Sequence, residues 1–153
     1  MHIAEGFLPP LHAAAWWVAS APFAVHGARA VITESRANPE SRLLLAAAGA
    51  TTFVLSAIKL PSITGSSSHP TGTGAGAILF RPPVMAFLGS LVLVMQALLL
   101  AHGGLTTLGA NVFSMAIAGP WAGYAFYRAL RHLHSPTAVF GAVAGANLAT
   151  YVV

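Results

Sequence analysis

The 153-residue chain is 56% hydrophobic, has a mean hydropathy of +0.74 and carries seven Lys/Arg and three Glu, so that only 7% of its residues are charged. Soluble domains run near ~25% charged, and the deficit excludes a soluble enzyme, a disordered tail and a nucleic-acid-binding domain. The net charge of +4 comes from scattered cations that form no phosphate-tracking cluster. The absence of cysteine excludes disulfides, thiolate metal sites and cysteine nucleophiles, and leaves seven histidines as the main candidates for chemistry.

Uncharged runs at 6–28, 43–58, 60–80, 82–127 and 132–153 are long enough to supply membrane-spanning helices, each of which needs roughly 20 apolar residues. The expected fold is all-α, a polytopic transmembrane helical bundle of five or six spans forming a single domain over 1–153. No basic leader precedes the first charge, Glu5, and His2 is too large to favour removal of the initiator, so Met1 is expected to be the mature N-terminus. Pro9 and Pro10 suit the start of a first span, 10–32, and Pro22 should kink it. Residues 33–42, with Asn38-Pro39, read as a solvated turn, and a second span follows over 43–60. Ala46 to Ala50 give that span a small-residue face suited to close helix packing.

Residues 61–76 are rich in Gly, Ser and Thr and carry no charge. Such backbone is tolerated at membrane depth only where protein or water satisfies it, and transporter sites are often built that way. Pro82 and Pro83 open a third long span ending near Ala101. The stretch His102-Gly-Gly-Leu-Thr-Thr-Leu-Gly-Ala-Asn111 leads into a fourth over 112–133, and the final run covers 137–153. No polar terminator follows Val153, and the bundle is expected to be truncated at its C-terminal end. If residues 70–81 make one extra short traverse, Arg29, Arg36, Arg42, Arg81, Arg128 and Arg131 share the cytoplasmic face, as the positive-inside rule requires. Met1, His2, residues 61–69 and His102 then share the outer face.

His2 is the most informative histidine. A terminal amine, the amide nitrogen of residue 2 and the His2 imidazole can close two chelate rings on one ion, a tetragonal nitrogen set suited to Cu(II) or Ni(II) and, less readily, Co(II). The alternative is a chance histidine in a frayed end. His69 could be the fourth nitrogen, with Ser66, Ser67, Ser68 and Thr71 able to hold its other ring nitrogen; a structural loop histidine is the competing reading. His102 could meet an ion transiently or satisfy neighbouring carbonyls. His12 and His26 read as interfacial or packed residues, and His132 and His134 join Arg128 and Arg131 in a basic turn. Glu5 either salt-links Lys59, draws cations in, or is simply solvated. No catalytic constellation is present, so the chain is not expected to be an enzyme, and Gly72-Thr-Gly-Ala-Gly76 lacks the Lys-Ser/Thr ending of a nucleotide loop.

Four segments in order, Met1-His-Ile-Ala-Glu-Gly-Phe-Leu-Pro9, Phe53-Val-Leu-Ser-Ala-Ile-Lys-Leu-Pro61, Gly65-Ser-Ser-Ser-His-Pro-Thr-Gly-Thr-Gly74 and Gln96 to Asn111, closely resemble the CbiM/NikM family. These are substrate-binding (S) membrane components of energy-coupling factor transporters for cobalt and nickel. The resemblance implies an ion, Co2+ or Ni2+, held by four nitrogens: the Met1 amine, the His2 amide, the His2 imidazole and the His69 imidazole. Ser67, Ser68, Thr71 and His102 would surround them. It also implies a T component (CbiQ/NikQ-like), a cytoplasmic ATPase pair (CbiO/NikO-like), an N-type accessory subunit and an inner-membrane location with the N-terminus outside. Cobalt uptake for cobalamin biosynthesis is the first expectation and nickel uptake the second. No prosthetic group is implied. Relatives continue past the 148–153 motif, and many carry an acid where Asn147 stands. A structural or assembly subunit, or a haem carrier, would be the readings from other classes.

Overall fold

A computed structural model of the chain describes residues 2–61 and 67–153. An extended N-terminal strap, residues 2–9, leads into α1 (Pro10–Ala37), whose proline at the first helical position needs no hydrogen-bond donor. The helix passes through Pro22 and runs five residues beyond the expected span. It stops at Asn38, which is extended because Pro39 follows. α2 (Ser41–Ala57) ends earlier than expected, where Ile58 turns extended ahead of Pro61. Two short strands, β1 (Leu60–Pro61) and β2 (Ser67–Ser68), pair antiparallel with Leu60 opposite Ser68.

α3 (Thr73–Phe80) and α4 (Pro82–Leu100) are separated by Arg81, which has a positive φ of 69°. α5 (Leu108–Val112), a six-residue π-helix (Phe113–Ala118) and α6 (Gly119–Leu130) together form the expected fourth run. Pro120 explains the widened turn: its ring displaces the carbonyl four residues back and it donates no bond. The N–H of Gly119 reaches back to the Ser114 carbonyl, the spacing of a π-helix. α7 (Ser135–Val152) closes the chain against α6 and α3.

α4 is the central element. It packs against α1, α2, α3 and the π-helix. One core cluster joins Ala86 and Leu93 to Leu108, Val112, Met115 and Ile117, and another joins Val84, Met85 and Leu88 to Leu45 and Ala77. Polar side chains share this interior with the apolar clusters, and large apolar ones face outward. Ser56, Thr71, Thr73, Gln96, Thr107 and Asn111 are buried, while Leu11, Leu43 and Phe140 are at least three-quarters exposed. Buried polar groups need partners and exposed apolar ones need an apolar surrounding.

Among the described residues one helix, Pro82–Leu100, is by itself long and apolar enough to cross a membrane, with mean hydropathy 2.2. The sequence reading expected five or six. Runs 6–28, 43–58, 82–127 and 132–153 carry the longer helices, while 60–80 holds two short strands and the eight-residue α3 among its described residues; α2 has only 17 residues, α1 carries His12, His26 and Arg29, and the fourth run is divided by its π-helix. α4 is about 28 Å long at 1.5 Å per residue, with Arg81 at its start and His102 just past its end. His69 lies beside His102, so the segment from His69 to Arg81 joins the two ends of α4.

Candidate metal site

The imidazoles of His2, His69 and His102 converge at the C-terminal end of α4, each offering a nitrogen within 4.8 Å of the others. Met1, whose amine was expected to join them, lies outside the described residues, as do 62–66.

His2 is carried by the strap, which has no regular structure of its own and is held by side chains from the other end of the sequence. The Ile3 N–H donates to Asn111 Oδ1 at 2.8 Å and Asn111 Nδ2 donates back to the Ile3 carbonyl at 3.0 Å. Thr107 Oγ1 donates to the same carbonyl at 2.7 Å. Further out, the Thr106 N–H donates to the Glu5 carboxylate and the Gly6 N–H donates to Thr106 Oγ1. The strap fits because Gly103, at φ 89°, and Gly104 have no side chains where His2, Asn111 and Glu5 lie. This is the physical reason for the His-Gly-Gly sequence.

The orientation of the His2 ring follows from a buried chain of hydrogen bonds. Ser56 Oγ donates to the Thr52 carbonyl at 2.6 Å, so it accepts from Gln96 Nε2, also at 2.6 Å. That leaves Gln96 Oε1 to accept from His2 Nε2–H at 3.0 Å. The His2 Nδ1 lone pair is thereby directed at His69 Nε2, 3.3 Å away. First-row divalent ions sit roughly 2.0–2.1 Å from imidazole nitrogens, so two ligands of one ion are at most about 4.2 Å apart. The His2–His69 pair already satisfies this limit.

His69 is built into the fold differently. The hydroxyl of Tyr151 on α7 accepts from the His69 N–H at 2.8 Å and donates to the His69 carbonyl at 3.0 Å. Asn147, one turn earlier, accepts from both the N–H and the hydroxyl of Thr71 and donates to the Val143 carbonyl. Thr71 was expected beside the His69 ring; its hydroxyl is engaged with Asn147 and Thr73 instead. Ser68 pairs through its backbone with Leu60. Glu5 accepts from Thr106, the contact found in place of a link to Lys59.

Burial pushes the His2 imidazole down to about 3, aided by the neighbouring His102 and His69, and burial likewise pushes His69 down to about 4. His102 is lowered by burial and by the Lys59 charge. All three rings are therefore neutral near pH 7, the form that ligates metal.

Gln96, Asn111, Thr107, Asn147 and Tyr151 carry the placement of these rings, and the sequence reading did not single them out for that role. A signal existed for Gln96: it is the one amide on an otherwise apolar helix, where a polar side chain is costly unless employed. A cavity of about 750 Å3 lies at the opposite end of α4, lined by His26, Arg29, Glu34, Ser41 and Arg81, with charges of both signs and remote from His2, His69 and His102.

Residues 2–153 match the family model described as the cobalt uptake substrate-specific transmembrane region. The cobalt transport protein CbiM of Streptomyces coelicolor is 70% identical over 156 residues, covering 100% of this chain and 67% of that protein. That of Propionibacterium freudenreichii is 63% identical over 155 residues, covering 100% of this chain and 66% of its own length. The chain thus spans about two thirds of these relatives. A crystal structure of a truncated transition metal transporter superposes with a TM-score of 0.83 at 30% identity, covering 98% of this chain and 72% of that one. With a match over nearly its whole length and relatives this similar, the chain belongs to the CbiM family.

Proposed function

We propose that this chain captures Co(II) at the outer face of the inner membrane and is the substrate-binding component of an ATP-driven energy-coupling factor transporter. The observation that carries this reading is the convergence of the His2 Nδ1 lone pair with His69 Nε2 at 3.3 Å, at the end of a strap that begins at residue 2. The ion is held by the Met1 amine, the deprotonated His2 amide and the imidazoles of His2 and His69. It is cargo, not a resident cofactor. Residues 1–153 act as one multi-pass domain of five or six spans, with the arginine-bearing ends in the cytoplasm.

The work comes from other subunits: a T component, a cytoplasmic ATPase pair and a small N-type accessory subunit. The imported ion serves cobalamin biosynthesis. The chain catalyses no reaction. Nickel is the second reading, favoured by one consideration: a planar nitrogen set binds Ni(II) more tightly than Co(II) by the ordinary order of divalent affinities.

The test is titration of purified protein with Co(II) and Ni(II), beside His69→Ala and a variant with one residue added before Met1. Stoichiometric binding by the intact protein, lost in both variants, is expected. Binding unchanged in both would overturn the site and favour a structural subunit.

A further inference from the structure

We propose that His102 is a fifth, out-of-plane ligand to the transported ion and the residue that tilts the site from nickel toward cobalt; this rests on the capture site proposed above. The rings of His2 and His69 are tilted by only 33° to one another, with centroids 5.0 Å apart. The His102 ring stands at 60° to His2 and 68° to His69, with centroids at 4.1 and 5.8 Å. Its ring is therefore oriented apart from the two that would serve the plane with the strap nitrogens.

Two further observations point the same way. His102 Nε2 is buried and makes no hydrogen bond among the described residues, although every other polar group used to place the strap has a partner. An orphaned buried nitrogen is costly and calls for a role. Ala101 adopts a left-handed conformation, φ 47°, which a non-glycine residue rarely takes. That turn ends α4 and sends the His102 N–H back to the Gln96 carbonyl at 3.1 Å, folding the imidazole over the site. A strained residue fixing a partnerless imidazole beside two convergent ones is an arrangement for ligation.

The consequence for ion choice is electronic. Four strong in-plane nitrogens make nickel(II) low-spin, with a filled orbital directed along the axis that repels another ligand. Low-spin cobalt(II) has a single electron in that orbital and accepts one axial nitrogen. Since a bare plane favours nickel, selection for cobalt has to come from geometry, and His102 supplies it. Ligands at right angles on one ion have nitrogens roughly 3 Å apart, and the three nitrogens here already lie within 4.8 Å of one another, so the loop has at most about 2 Å to close.

Electron paramagnetic resonance of the intact, cobalt(II)-loaded protein under anaerobic conditions tests this. One axial nitrogen splits each axial cobalt line into a triplet, and that triplet is expected. Incorporation of nitrogen-15 histidine should turn it into a doublet without any substitution. In His102→Ala the splitting should vanish, and the Ni(II)-to-Co(II) ratio bound in competition should rise. Stoichiometric cobalt with no axial splitting, or splitting that persists in His102→Ala, would overturn the fifth ligand while leaving the plane intact. Absence of bound cobalt in the intact protein would overturn the capture site, and this inference with it.

Discussion

The strap that carries His2 and the loop that carries His69 deliver two imidazoles to one point by opposite means. The strap contributes almost nothing to the core. It is held by Asn111, Thr107 and Thr106, side chains about a hundred residues away. The 69–73 loop is clamped by Asn147 and Tyr151 and runs directly into α3, whose Gly74 touches Ala146 and Val143 of α7. One histidine is thus placed by polar contacts that can be removed without dismantling the bundle, and the other by the packing of the bundle itself. A site assembled this way can release one arm while keeping the other.

The largest disruption should come from the packed arm. A Cβ on Gly74 would lie 2.6 Å from the Ala146 Cβ and 3.2 Å from the Val143 Cα, so Gly74→Val forces α3 from α7. Overpacking of this kind costs about 1–3 kcal/mol or more. Thermal unfolding should show clear destabilisation together with loss of metal, and a variant as stable as the parent would refute the packing account.

Asn111→Ala should separate the two arms. It removes both bonds to Ile3 and strands a backbone N–H, costing about 1–3 kcal/mol. Metal affinity should fall about tenfold to a hundredfold, since each 1.4 kcal/mol is a factor of ten, while helical circular dichroism stays unchanged. If affinity holds, the strap is not anchored as described. Gln96→Leu acts one step further from the ion by freeing the His2 ring to rotate. Partners of metal-ligating histidines typically contribute 10–100-fold in affinity, and a drop in that range by calorimetry is expected.

The pH response compares the arms directly. Both imidazoles are depressed from 6.5, to about 3 for His2 and about 4 for His69. The unfolded chain therefore takes up protons before the folded one does, and their contribution to stability is fully present above pH 6.5 and lost as pH falls toward 4 and then 3. Metal-free protein should melt at progressively lower temperature below pH 6.5, and His69→Ala should flatten that slope. The smallest effect belongs to Glu5→Gln. The carboxylate is solvent-exposed and its pKa is lowered by the Thr106 contacts, so water screens the interaction and the melting temperature should stay where it is in the parent.

The sequence makes the proposed ligands more legible than their supports. Met1-His2, the Ser-His-Pro-Thr-Gly stretch and His102-Gly-Gly stand out because charged and imidazole side chains are rare in so apolar a chain. The helices are legible from their proline starts at Pro10 and Pro82 and from the uncharged runs between arginines. Asn111, Thr107 and Tyr151 are not, because their roles depend on which backbone groups the fold leaves unpaired. The π-helix at Phe113–Ala118 is hidden too, since it reflects Pro120 acting within a packed helix rather than any local periodicity. His102 stands open in the sequence between a transient ion contact and satisfying neighbouring carbonyls, because its unpartnered nitrogen is visible only in the folded chain.

X-ray absorption of the cobalt-loaded intact protein tests the central claim most directly. The account predicts an all-nitrogen first shell with the outer-shell scattering of imidazole rings, lost when His2 and His69 are both replaced by alanine. A six-oxygen shell resembling the hydrated ion would contradict it.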